Sequence, residues 1–492
     1  MLVYTAILYY IASSNPSVAA PSALPSSLGS QFANGMISSF SPRDTDAVNM
    51  CPRTRLEIIW TCLATILAAS WVAVHPNMPG PNVSKVKKIL WRIELMLWAI
   101  IAPELIILWA MQQWYGAKVL ENKFISSYRK PNDAFKWTKK HGFFLQMGGF
   151  VLHAKDGPRR ILDWPEWEQL MEYYKDGRVD LSKITEATID DHSKADGFAK
   201  CIALIQTSWF IVQSIARLSD KHLLLTELEL VTAALAVLSL FMYCFWWNKP
   251  FNAEVPIVII LLDPIHETGS HQDSSIKTGE NVLPVHTQAV SKFVHSKLLT
   301  WDHLKKLALM PHTFYKHVLV CMHELTDAPY NYSPKTVPRS SMRVPHMFHY
   351  LRGLASMDNH IIRFCIGSHQ VRTCTAVFGA IHCAGWSDKM IFHTDTASLW
   401  RISSVIITAS PSLWILTGII FAANNAVGNG RALYNANDAL FYVTRRLSIF
   451  SVPFYIIARI ILLILAFMEL RYVPQGALNS ISWANVLPFI HW

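Results

Sequence analysis

Six apolar blocks, each close to the length of helix that crosses a lipid bilayer, constrain this chain more than any motif does. They are Leu56–Val74, Ile89–Trp114, Cys201–Ala216, Glu229–Trp247, Ile402–Ala423 and Leu447–Met468. A hydrocarbon core of ~30 Å needs about 20 apolar residues per helix, and every backbone amide inside it must bond within its own helix. Charge is sparse in keeping with that pattern. Asp, Glu, Lys and Arg make up 16% of the 492 residues, where a soluble domain carries about a quarter. The sequence therefore predicts an all-α fold: a polytopic α-helical membrane protein of about six transmembrane helices with two large extramembrane regions.

Composition shifts divide the chain. Residues 1–50 hold an apolar segment at 2–12, of signal-peptide length, and then a Ser/Pro/Ala-rich stretch that reads as disordered. No basic residue precedes the segment, and Pro21 follows the small-residue site at Ala20. A removed signal and a membrane-lying segment are both open. Residues 51–114 read as a transmembrane hairpin turned by HPNMPGPNVSK, whose prolines and glycine stop a helix. An extramembrane region follows at 115–200, a second transmembrane hairpin at 201–247, a His-rich extramembrane region at 248–398, and a transmembrane pair with its tail at 399–492. Within the His-rich region, Val290–Leu309 sets apolar residues at helical spacing opposite lysines, the pattern of a basic amphipathic helix.

With six spans the two long regions share one side, together with the N-terminal flank. Lys and Arg near the spans are denser on that side, which favours a cytosolic placement, in the endoplasmic reticulum or plasma membrane. Asn82-Val83-Ser84 is a glycosylation candidate, reachable only in that orientation.

Two charges lie inside apolar blocks. Glu104 follows Pro103 in the second, and Arg459 sits midway along the sixth. An isolated charge at mid-bilayer costs about 2.5–3.5 kcal/mol on insertion scales, so a Glu104–Arg459 ion pair is the natural expectation, either as a packing clamp or as a substrate or proton site. Fourteen of the 20 histidines fall between positions 250 and 395. His312 and His317, and His346 and His349, have spacings that could place two imidazoles on a metal. No His-His pair accompanies them, and solvent-facing histidines explain the same spacings.

The sequence assigns no catalytic residue and no cofactor. A G-x-S-x-G elbow, a P-loop and a dinucleotide fingerprint are all absent. The net charge of +10 arises largely from Lys and Arg that flank apolar blocks, which makes membrane lipids the nearer partner and leaves no nucleic-acid motif. Eight scattered cysteines without a C-x-x-C pair indicate neither a disulfide framework nor a zinc site.

The runs CPRTRLEIIWTCLATILAASWVAVHPNMPGPN, LMLWAIIAPELIILWAMQQW, WTKKHGFFLQMGGF, TELELVT, FWWNKP, GAIHCAGW and RIILLILAFMEL span about residues 51–492. Together they resemble blocks of a family of multi-pass membrane proteins of filamentous fungi, mainly basidiomycetes. The resemblance implies a fungal origin and a membrane location and carries no activity, substrate or site residue. Three functions stay open on the sequence: an accessory protein or enzyme acting on a lipophilic small molecule, with fungal specialised metabolism as its setting; a transporter or channel; and a membrane scaffold or receptor-like protein.

Overall fold

A computed structural model describes residues 53–262 apart from 81–82, 131–134, 155–158, 163, 194–196 and 221, then residues 378–386, 394–426 and 431–481. Within these residues the fold is mostly helical. Four helical stretches are long and apolar enough to cross a membrane: Arg55–Ala73, which is α1; Lys200–Ser219 within α7 (Gly197–Ser219); Glu227–Trp246, which is α8; and Phe450–Tyr472, most of it the end of α10 (Arg431–Met468). They coincide with the first, third, fourth and sixth expected spans. The fifth lies in α9 (Thr394–Ala426), where many side chains fall outside the described residues.

The second expected span is not one helix. The block 89–114 is divided between α2 (Lys85–Ile101) and α3 (Pro103–Ser127), bent by 111°. The cause is local. Pro103 has no N–H to continue the ladder and disfavours helical geometry at the residue before it, and Ala102 sits at φ −138°, ψ 63°. The result is a V. Its tip reaches the middle of α10, where Ile100 and Glu104 meet Arg459 and Tyr455.

Both arms of the V return to the same end of the bundle. Near the start of α2, Lys88 pairs with Glu254 and Arg92 donates to Asn252, just beyond the C-terminus of α8. Along α3, Trp109 packs edge-on against Trp246, the last residue of α8. The hairpin expected at 51–114 is thus α1 plus a V that turns back, and the region after it sits at the end of the bundle opposite Arg53.

That region carries a small α/β unit, a departure from the all-α expectation. It contains α4 (Lys139–Gln146), β1 (Phe150–Ala154), β2 (Arg160–Ile161), α5 (Trp164–Lys175), α6 (Glu186–Asp191) and β3 (Ile257–Leu261). The strand order is β2-β1-β3, with β2 antiparallel and β3 parallel to β1, in the register Phe150 to Ile257 through Ala154 to Leu261. FVLHA and IVIIL are β-branched or aromatic runs too short for a helix of any length. Because β3 pairs with β1, the start of the 248–398 region joins residues from the 115–200 region in one unit. Phe144, Phe150, Trp167, Leu170 and Met171 form the unit's core, each worth about 1.5–3 kcal/mol of apolar transfer when buried.

Candidate functional site

Among the described residues three polar clusters occupy the bundle, and two of them belong to the V, one at its tip and one at its base. At the tip, the bend leaves the Ile100 carbonyl of α2 to accept from Arg459 and places the start of α3 beside it. Glu104, in the first turn of α3, benefits from the partial positive charge of that helix end. Its Oε2 accepts a hydrogen bond from Tyr455 Oη at 2.5 Å, and its Oε1 is buried with no partner among the described residues.

Arg459, one turn further along α10, is 1% exposed. Its Nη1 lies 3.4 Å from His382 Nε2, its Nη2 lies 3.4 Å from the Ile100 carbonyl, and its Nε is buried without a partner among the described residues. The guanidinium also stacks over Phe378, with Cζ 4.0 Å from the ring centroid. His382 Nδ1 bonds the Phe378 carbonyl at 2.9 Å, and Trp400 Nε1 donates to the His382 carbonyl at 3.2 Å. That bond assigns the proton of His382 to Nδ1 and leaves Nε2 as the acceptor facing Arg459.

The structure therefore brings Glu104 and Arg459 into one cluster without a direct hydrogen bond between them. Tyr455 holds the carboxylate, and the guanidinium turns to His382 and Ile100. Of these partners the sequence flagged neither Tyr455 nor the free carbonyl. Asn82, His312, His317, His346 and His349 lie outside the described residues, as do residues 1–50 and Val290–Leu309. Among the described residues no three His, Cys, Asp or Glu side chains gather as a metal site.

At the base of the V, Lys249 is 1% exposed. Its ammonium uses all three donors: the His75 carbonyl at 2.6 Å, Gln113 Oε1 at 2.9 Å and Asn77 Oδ1 at 3.1 Å. It also lies 4.7 Å from the Trp109 ring centroid and 4.8 Å from that of Trp246. Gln113 Nε2 donates to Asn77 and Trp246 Nε1 donates to Gln113, so the acceptors are themselves fixed. Burial pushes the Lys249 pKa well below the usual lysine range. Three oxygens and two ring faces favour the charged form, and we take the group as an ammonium. Burial also depresses His75, which is held through Nδ1 by the Ala73 carbonyl. On the sequence, Lys249 is only the residue after a helix stop.

A third polar cluster closes the opposite end of the bundle. Arg53 forks onto Glu229, Nη1 to Oε1 at 2.6 Å and Nη2 to Oε2 at 3.1 Å, and Arg217 Nε approaches Oε1 at 3.9 Å. Glu229 also completes the capping box of α8 with Thr226. Sequence position alone reads Glu229 as an interfacial group at a span end, whereas it is 4% exposed.

A family of unknown function (DUF8562) matches residues 32–269. The matched stretch contains Glu104 and the whole Lys249 centre and stops short of Tyr455 and Arg459. No curated protein and no solved structure matches the chain.

Proposed function

We propose that the chain is a multi-pass integral membrane protein that moves a small charged solute, with the tip of the V as its polar point inside the bilayer. α1, α7, α8, α9 and α10 would cross, and the α2–α3 V would enter and leave on one side. The observation that carries this reading is an inverted distribution of polarity. Trp60, Leu67, Ile205, Trp209, Phe450, Ile457 and Ile464 are exposed on the crossing helices, while Glu104, Arg459 and Glu229 are buried between them. In water such outward apolar faces are costly, whereas in lipid they are the solvated faces and interior charges mark paths for ions and solutes. Broken helices whose ends face a mid-bilayer site recur in carriers.

The test is flux. Purified protein in liposomes, loaded with a pH-reporting dye under an imposed proton or salt gradient, should dissipate the gradient, and Arg459→Met should remove that activity. Well-folded protein that leaves every gradient intact would overturn the carrier reading.

A second reading, an accessory protein or enzyme acting on a lipophilic substrate, draws on the start of α2. Exposed Lys85 and Lys87 there stand beside exposed Val86, Ile89 and Leu90, a face suited to lipid headgroups and chains. Turnover of a membrane lipid extract by protein inactive in flux would favour it.

A further inference from the structure

At the tip of the V, two side-chain atoms without a partner among the described residues are of opposite kind. Glu104 Oε1 is an acceptor and Arg459 Nε is a donor, both inside the protein. Apart from the carboxylate, most of what surrounds it donates: Tyr455 Oη, the Arg459 guanidinium and the first-turn amides of a 25-residue helix. Hydroxyl, guanidinium and helix N-terminus together are the chemistry of an anion site.

The guanidinium is loosely held. Among the described residues its two hydrogen bonds are both 3.4 Å long, and its Nε–H has none. Among the described residues, the charged or titratable groups facing Glu104 are Tyr455 and Arg459 on α10 and His382 in the helical segment 378–383. The two formal charges cancel as long as Glu104 is ionised. If Glu104 takes a proton, the guanidinium is left buried and uncompensated, and one monovalent anion restores neutrality.

We propose that this centre is a binding site for a small monovalent anion, filled in this structure by the Glu104 carboxylate itself, and that a proton on Glu104 and an external anion enter together. The idea rests on the carrier reading for its purpose, but not for its test. Glu104→Ala deletes the atoms of an acetate, so acetate or formate should refill the space.

The experiment uses the full chain in detergent and follows thermal unfolding of Glu104→Ala in formate, acetate or nitrate against gluconate at equal ionic strength. Expected is a saturable rise in midpoint for the small anions alone, with apparent affinity weakened about tenfold or more when Arg459→Met is added. A Glu104→Ala protein that elutes like the wild type yet responds equally to formate and gluconate overturns the site. Should that variant not fold, wild-type protein in weak buffer near about pH 6 decides. Nitrate binding should then consume one proton per anion, and Glu104→Gln should bind nitrate without proton uptake. Absence of uptake by the wild type overturns the proposal. Liposomes without flux but with anion binding would strike the carrier reading and leave the site standing; flux without binding would do the reverse.

Discussion

Replacing Lys249 with methionine keeps the aliphatic stem and deletes the ammonium. Three acceptors lose their donor, but they do not lose equally. Asn77 Oδ1 keeps Gln113 Nε2 at 3.1 Å, and Gln113 Oε1 keeps Trp246 Nε1 at 3.0 Å. Only the His75 carbonyl is left bare among the described residues, at a cost of about 1–3 kcal/mol. Two lost ring contacts add about 1–2 kcal/mol together. Relief from desolvating a cation works the other way and offsets part of the sum, because apolar replacements of buried charges are often tolerated. The net expectation is a loss of about 2 kcal/mol. Trp109 and Trp246 flank the ammonium, so tryptophan emission during heating, at fixed detergent and salt, reads the change where it occurs. A Lys249→Met protein as stable as the wild type, or more so, would refute the claim that the ammonium stabilises this corner.

Arg53→Met removes a bidentate pair and the donor to the Ala477 carbonyl at 2.8 Å; a loss of about 3 kcal/mol in unfolding midpoint measurements is expected, and Glu229→Gln should lose less because it keeps an acceptor for Thr226. In the α/β unit, burial lowers the His141 pKa below the ordinary imidazole value. The unfolded state then takes up the proton first, so stability is full above about pH 6.5 and falls as pH drops through that value. Amide protection at residues 150–154, taken relative to the intrinsic exchange rate at each pH, should fall below that pH, and His141→Gln should flatten that dependence. A Cβ at Gly142 would lie 2.7 Å from Ala117 Cα; Gly142→Ala should part α3 from α4 and cost about 1–3 kcal/mol in the same melts. Finally, Met78 donates its N–H to the Met147 carbonyl, so the α1–α2 connection and the α/β unit share one end of the molecule. Glycan on Asn82 in microsomes should therefore accompany protease protection of residues near Lys175, contrary to the arrangement that six full spans imply.

Apolar length made α1, α7, α8 and α10 legible, because a run of about 20 such residues has few other uses. The same measure could not see the bend at Ala102. A window averages hydropathy and is blind to a missing amide, though Ala-Pro-Glu was the visible sign of it. Strands β1 and β3 escaped for a related reason: five residues are too few to register, and their partnership spans more than a hundred positions. Glu104 and Arg459 stood out as charges in apolar company. Their actual partners, a tyrosine hydroxyl and a backbone carbonyl, carry no such contrast. The burial of Lys249 and Glu229 is not visible in the sequence, because a charged residue at a helix end normally reaches water, and here other elements fold over it.

The closure around Arg53 has a consequence for how the protein is made. Its backbone N–H bonds the Leu478 carbonyl at 2.7 Å, its Nε bonds the Ala477 carbonyl, and Leu224 N–H bonds the Gly476 carbonyl at 3.1 Å. These acceptors leave the ribosome more than four hundred residues after Arg53 does. α1 thus waits, with its polar rim incomplete, while more than four hundred further residues are made. A nascent chain stalled before Gly476 would hold every long helix among the described residues and still lack the stitch that fastens α1, which makes this rim a natural point for quality control to inspect.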